Sequence, residues 1–227
     1  MNFKYILGVF IITKCLCCDK IIEYGGYLCG DCMKLWRNEM IDSDGEMICL
    51  ANYDKYNDTV SKRLVLRMKS RNTKRLYRFM ADELIKAINT KLPNRHEYII
   101  SNAPRMKNSI KANGLDHSKL LAKMIAERTG MKYMDTLRNK GREVQKILNY
   151  HERFKNADKA YLIRKQFNNN LHGYKFLVID DITTTGATLK ACGKILLDNG
   201  AADVKYAAIC GGNDYKHEDY RQNYRAN

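Results

Sequence analysis

A chain of 227 residues with 45% hydrophobic side chains and only 2 prolines can build one sizeable core with a small appendage, and its composition excludes a linker-rich or low-complexity protein. Forty Lys and Arg against twenty-five Asp and Glu leave a net charge of +15. Partners are therefore expected among anions: nucleic acid, phosphorylated ligands or a membrane surface. No internal repeat marks a solenoid.

Residues 1–12, MNFKYILGVFII, set Lys4 before an apolar run from Tyr5 to Ile12 and so imitate a signal peptide. Thr13, Lys14 and Cys15 follow where a cleavage site would need small residues, and the run is far shorter than the roughly 20 residues that span a bilayer. The expectation is a short helix packed on a cytoplasmic protein, with no transmembrane segment.

Next comes CLCCDKIIEYGGYLCGDC, in which Cys15 with Cys18 and Cys29 with Cys32 form two C-x-x-C pairs. Each pair can bring two thiolates to one tetrahedral site, and Gly25, Gly26 and Gly30 permit the turns that such clusters need. The doubled spacing points to structural Zn²⁺, since four thiolates leave the ion no open position. A disulfide or a redox C-x-x-C is the competing reading. Cys17 is expected to point away as a spare thiol.

The run MICLANY from Met47 reads as a strand, and residues 58–68 alternate helically. Between Lys62 and Arg78 lie eight basic residues and no acidic one, which makes Lys69, Arg71, Lys74 and Arg75 candidates for a nucleic-acid surface, with a solvated helix face as the alternative. Residues 72–88 read as an amphipathic helix, Tyr98–Ile100 as a short strand ending in SNAPR, and residues 116–129 as a second helix. A basic loop is expected over 138–165, with a short strand at Tyr161–Ile163. Val204–Ile209 reads as a buried strand, and the polar residues from Asn213 to Asn227 as a tail that frays or forms a short helix.

The most informative stretch is KFLVIDDITTTGAT, from Lys175 to Thr188. Phe176–Ile179 is apolar without helical period, which marks a buried parallel strand, and Leu189, Cys192, Ile195 and Leu196 then recur at helical spacing before Gly200. The residues between them form a small polar loop. A helix N-terminus offers N–H groups to a phosphate, with hydroxyls from Thr184, Thr185 and Thr188 beside it, and Gly186 lets backbone approach a ligand closely. Asp180 and Asp181 would repel that phosphate but suit a vicinal diol or the water on a Mg²⁺ ion. Phosphate and diol together describe a ribose 5-phosphate. The plainer alternative is a chain turn with a helix cap.

VIDDITTTGAT resembles the phosphoribosyl pyrophosphate (PRPP) loop of type I phosphoribosyltransferases, with Thr183 standing where an aliphatic residue is more usual. With the cysteine pairs added, the chain resembles the ComF family, competence-associated proteins with an N-terminal four-cysteine zinc module and a type I phosphoribosyltransferase domain. NGLDHSKLLA from Asn113 looks like the family's RGFNQ or RGFDH segment, with Asn113 in place of Arg. Gln145, Arg153 and Asn156 fit its Q…R…N pattern, and Asn102, Ala103 and Pro104 stand where it has Pro-Val-Pro.

The resemblance implies an α/β fold, a phosphoribosyltransferase-like parallel sheet flanked by helices. The expected organisation is a helix and zinc module over 1–45, the main domain over 46–213 and a polar tail over 214–227. It implies PRPP held by Asp180, Asp181, Thr183, Thr184, Thr185, Gly186, Ala187 and Thr188, with Ala103 and Arg105 at the pyrophosphate and Mg²⁺ accompanying it. Two functions follow: pentosyl transfer from PRPP, with Asp180 and Asp181 as the catalytic pair, or binding of single-stranded DNA with the competence machinery during DNA uptake.

Overall fold

The computed structural model describes residues 12–54, 56–71, 73–106, 110, 114–140 and 160–212. Strands β1 (Thr13–Lys14) and β2 (Ile21–Ile22) pair antiparallel and lead into helix α1 (Gly30–Glu39). Strand β3 (Met47–Asn52) then precedes helices α2 (Val60–Arg71) and α3 (Lys74–Lys91), and strand β4 (Tyr98–Asn102) is followed by α4 (His117–Thr129). Asp116 caps α4 by accepting from Lys119 N at 3.1 Å, and Gly130 ends it at φ 72°, the left-handed conformation that costs a glycine least. Strands β5 (Leu137–Asn139) and β6 (Tyr161–Ile163) pair antiparallel, so the two ends of the expected basic loop are held together. Strand β7 (Lys175–Thr183), helix α5 (Ala187–Asp198) and strand β8 (Asp203–Gly211) complete the described fold.

The sheet is parallel, in the order β3-β8-β7-β4. Beyond β4, Tyr133 forms a parallel bridge to Ile100, with Ile100 N donating to Lys132 O at 2.8 Å and Met134 N to Ile100 O at 2.9 Å. One face of the sheet buries Leu177, Ile179 and Ile209 against Leu84, Ile88, Leu121 and Ile125 of α3 and α4. The other buries Phe176, Val178 and Ala208 against Leu189, Cys192 and Leu196 of α5. Because both faces of β7 are covered, its sequence is a continuous apolar run rather than an alternating one.

Several elements differ from the sequence expectation. Helix α1 was not foreseen, because the cysteine spacing masked the helical pattern of MKLWRNE. Strand β7 continues through the acidic pair to Thr183, since β8 runs alongside it and pairs Asp180 with Ala208, Ile182 with Cys210 and Thr183 with Gly211. The loop is thus only Thr184–Gly186, and Ala187 and Thr188 already belong to α5. The helix expected before residue 12, the middle of the basic loop with Gln145, Arg153 and Asn156, and the tail after Gly212 lie outside the described residues. Among the described residues no helix is long and apolar enough to cross a membrane.

Candidate functional site

The connectivity locates a crevice. From β4 the chain passes through α4 on one face to the Tyr133 edge, whereas from β7 it passes through α5 on the other face to β8 on the opposite side. Between β4 and β7 the direction of strand addition therefore reverses, and in open parallel sheets ligands bind beyond the carboxyl ends of strands at such a switch point. Those two ends deliver Asn102–Arg105 from β4 and Asp180–Gly186 from β7.

The acidic pair closes the end of β7. Both carboxylates are buried, Asp180 at 8% and Asp181 at 5% exposure. Asp181 N donates to Asp180 Oδ1 at 2.8 Å and Ile182 N to Asp181 Oδ1 at 3.0 Å. Arg105 Nη2 lies 3.2 Å and Lys69 Nζ 3.7 Å from Asp181 Oδ2. Burial would raise both pKa values, but Lys69 and Arg105 hold the Asp181 carboxyl below the usual range. Among the described residues no cation pairs with Asp180 in this way, and the charge of Arg105 offsets its rise only in part. Burial and then the charge of Asp181 push the Asp180 carboxyl well above its usual range, so it is the weaker acid of the pair.

Around the pair, Gly186 stands before α5 at φ 75°, and a Cβ there would lie 3.2 Å from Met47 Cε. Gly212 matters more: a Cβ on it would fall 2.3 Å from Thr184 O, so only glycine lets the end of β8 pass under the loop. Thr184 is exposed, Thr185 and Thr188 half-buried, and Ala187 N donates to Thr185 Oγ1 at 3.3 Å. Across the crevice, Ala103 N donates to Ile179 O at 3.0 Å, and Ser118 Oγ to Ala103 O at 2.7 Å, so the turn after β4 is tied to both β7 and α4. The buried Tyr77 Oη is hydrogen bonded to His117 Nδ1, and both groups feel the charges of Arg105 and Asp181. His117 Nε2 and Thr183 Oγ1 are buried without a hydrogen-bond partner among the described residues. His117 lies in the DH of NGLDHSKLLA, so that segment carried the signal, whereas nothing in the sequence singled out Tyr77.

The structure distributes the basic segment among several tasks. Lys69 reaches Asp181, and Arg67 makes a two-pronged bond to Asp19 at 2.8 Å for each arm. Arg63 pairs with Asp58, and Arg75 donates to the carbonyls of Lys14 and Gly26 while lying 5.9 Å from the Tyr27 ring. Lys74 and Arg78 are exposed. Arg71 closes α2, and its side chain lies outside what is described.

A second centre lies at the N-terminus. The β1–β2 hairpin supplies Cys15 and Cys18, while Cys29 stands at the N-cap of α1 and Cys32 in its first turn. Their four sulfur atoms lie within 4.8 Å of one another, with Cys18 Sγ and Cys29 Sγ 3.7 Å apart. A tetrahedron of Zn–S bonds of about 2.3 Å has edges of about 3.8 Å, so the quartet fits one Zn²⁺. Despite its burial, the Cys15 thiol is drawn down to about 7 by the backbone N–H groups of Cys18, Cys29 and Cys17, whereas burial and the neighbouring thiols push Cys32 up. Cys17 is buried and is not one of the four sulfur atoms gathered within 4.8 Å. Trp36 of α1 is fully buried, and its Nε1 donates at 2.9 Å to Glu83 of α3, which also receives Arg37 at 3.0 Å and Lys86 at 2.7 Å. The cysteine quartet thus shares its core with α2 and α3.

No curated protein matches the chain in sequence. Among solved structures it is similar to a purine phosphoribosyltransferase from Pyrococcus horikoshii, at 17% identity and TM-score 0.39 over 61% of this chain and 77% of that one. An adenine phosphoribosyltransferase from Saccharomyces cerevisiae matches at 16% identity and TM-score 0.40, over 64% of this chain and 73% of that one. A phosphoribosylpyrophosphate synthetase from Mycobacterium smegmatis matches at 14% identity and TM-score 0.39, over 61% of this chain and only 38% of that one. In sequence, residues 81–226 match the phosphoribosyl transferase domain, and since that stretch carries the β4 turn, the acidic pair and the threonine loop, the chain belongs to the phosphoribosyl transferase domain family.

Proposed function

We propose that the crevice between β4 and β7 binds PRPP or a closely related ribose 5-phosphate. The observation that carries this reading is the buried acidic pair at the switch point, flanked by the N-terminus of α5 on one side and the Ala103–Arg105 turn on the other. The loop Thr184–Gly186 with Ala187 and Thr188 would take the 5-phosphate, Asp180 and Asp181 the ribose hydroxyls, and Ala103 and Arg105 the pyrophosphate. Mg²⁺ would arrive bound to the pyrophosphate, since Asp181 is already paired with Lys69 and Arg105. If a nitrogen nucleophile is admitted, it forms a bond to C1 as the C1–O bond breaks, and the electron pair leaves with the pyrophosphate. The chain would contribute by orientation and fixed charge.

The Cys15, Cys18, Cys29 and Cys32 quartet would hold a structural Zn²⁺, fixing the hairpin to α1. A role in DNA uptake with the competence machinery, including binding of single-stranded DNA, rests on the ComF resemblance and the net charge of +15, with Lys74 and Arg78 as exposed cations on α3. Calorimetric titration with PRPP and Mg²⁺ tests the central reading. Saturable binding is expected, weakened at least tenfold in the Asp180→Asn, Asp181→Asn double variant with its circular dichroism unchanged. No binding to the native chain at millimolar PRPP would overturn it.

A further inference from the structure

We propose that Lys69 and Arg105 form a charge latch on Asp181, so that the crevice accepts a ribose only when the ligand brings its own anionic group at C1 to take over both cations. This rests on the ribose-phosphate reading above and names the selectivity of that site. Two cations from different elements, α2 and the turn after β4, converge on a single oxygen, Asp181 Oδ2, at 3.7 and 3.2 Å. The Asp181 side chain is only 7% exposed, and Arg105 is 22% exposed. A neutral diol could reach that oxygen only by displacing the cations, and parting the buried Asp181 carboxylate from the 22% exposed Arg105 leaves both short of a partner, whereas Lys69 keeps much of its hydration. A ligand with a pyrophosphate beside the diol gives Lys69 and Arg105 a replacement anion as Asp181 turns to the hydroxyls.

The charge balance points the same way. Two cations face the single oxygen Asp181 Oδ2, and this concentration of positive charge favours an anion over a neutral sugar. Arg105 presents a planar fork that can hold two phosphate oxygens. Lys69 acts as a point charge on a flexible stem, 36% exposed, able to swing from the carboxylate to the ligand. The sequence made Lys69 a candidate for a nucleic-acid surface, with a solvated helix face as the alternative; in the fold its ammonium points at the acidic pair.

The experiment is a set of calorimetric titrations of the full chain with three probes: PRPP with Mg²⁺, inorganic pyrophosphate with Mg²⁺, and ribose 5-phosphate. The native chain is expected to bind PRPP at least tenfold more tightly than ribose 5-phosphate. Lys69→Met should weaken PRPP and pyrophosphate about tenfold while leaving ribose 5-phosphate unchanged or tighter, because one counter-ion of Asp181 is gone. Lys69→Arg should restore most of the loss, which a general disturbance of α2 would not allow. An equal loss for all three probes, no loss for any, or native affinity for ribose 5-phosphate equal to that for PRPP overturns the latch while sparing the site. A native chain that binds none of the three overturns the latch together with the ribose-phosphate reading.

Discussion

Replacing Glu83 tests how the cysteine-bearing segment is joined to the rest of the chain. The carboxylate is 2% exposed and accepts from the fully buried Trp36 Nε1 at 2.9 Å, as well as from Arg37 and Lys86. The two cations are 47% and 63% exposed, so solvent screening leaves each with a fraction of a kcal/mol. The dominant loss in Glu83→Ala is the orphaned indole N–H, about 1–3 kcal/mol, with the vacated volume beside Trp36 adding to it. A total of about 2–4 kcal/mol is expected. Glu83→Gln keeps an oxygen for Trp36 and should cost about 1 kcal/mol. Urea unfolding of the purified, reduced protein reads both as shifts in midpoint at constant slope.

The pH dependence follows from the same contacts. Burial alone would raise the Glu83 pKa, but the bonds from Lys86 and Trp36 and the charges of Lys86 and Arg37 lower it below its ordinary value. Its stabilisation is therefore complete above the unfolded carboxylate pKa of about 4.3 and is lost as pH falls through the lower folded value. If Glu83→Ala and Glu83→Gln unfold at the same midpoint, the indole bond does not join the two segments and the reasoning fails.

The purified, reduced protein should carry about one Zn²⁺ per chain; Cys29→Ser should lose it and Cys17→Ser retain it, and metal analysis finding zinc in neither native nor Cys17→Ser protein would refute the quartet as a zinc site. Gly212→Ala should cost about 1–3 kcal/mol by forcing the Thr184 carbonyl aside, and it should weaken ribose-phosphate binding more than Gly30→Ala, whose Cβ meets nothing within 4 Å; equal effects would show that the loop yields freely. Asp180 contributes with the opposite sign to Glu83: its raised folded pKa gives stability that is full below its unfolded value and declines as pH rises toward the folded one. Asp180→Asn should therefore gain on the native chain in urea midpoint as pH rises above the unfolded carboxylate value of about 4, and a gap independent of pH would refute the raised Asp180 pKa.

What the sequence could determine was local. An apolar run without period forces a strand buried on both faces, a glycine followed by helical spacing opens α5 beside the threonines, and paired C-x-x-C motifs allow few ligand geometries; each depends on neighbours in the chain. The limits of β7 were not local, because pairing with β8 carries the strand through Asp180 and Asp181 and turns a foreseen acidic loop into a buried strand end. The role of Lys69 was further from reach. Residues 62–78 read as a uniformly basic stretch, yet packing sends Arg67 to Asp19, Lys69 to Asp181 and Arg75 to the carbonyls of the hairpin. Charge can be counted in a sequence, but its partners lie 48 to 112 positions away in these three cases, and only the tertiary fold brings them within a few ångströms, where the interaction acts.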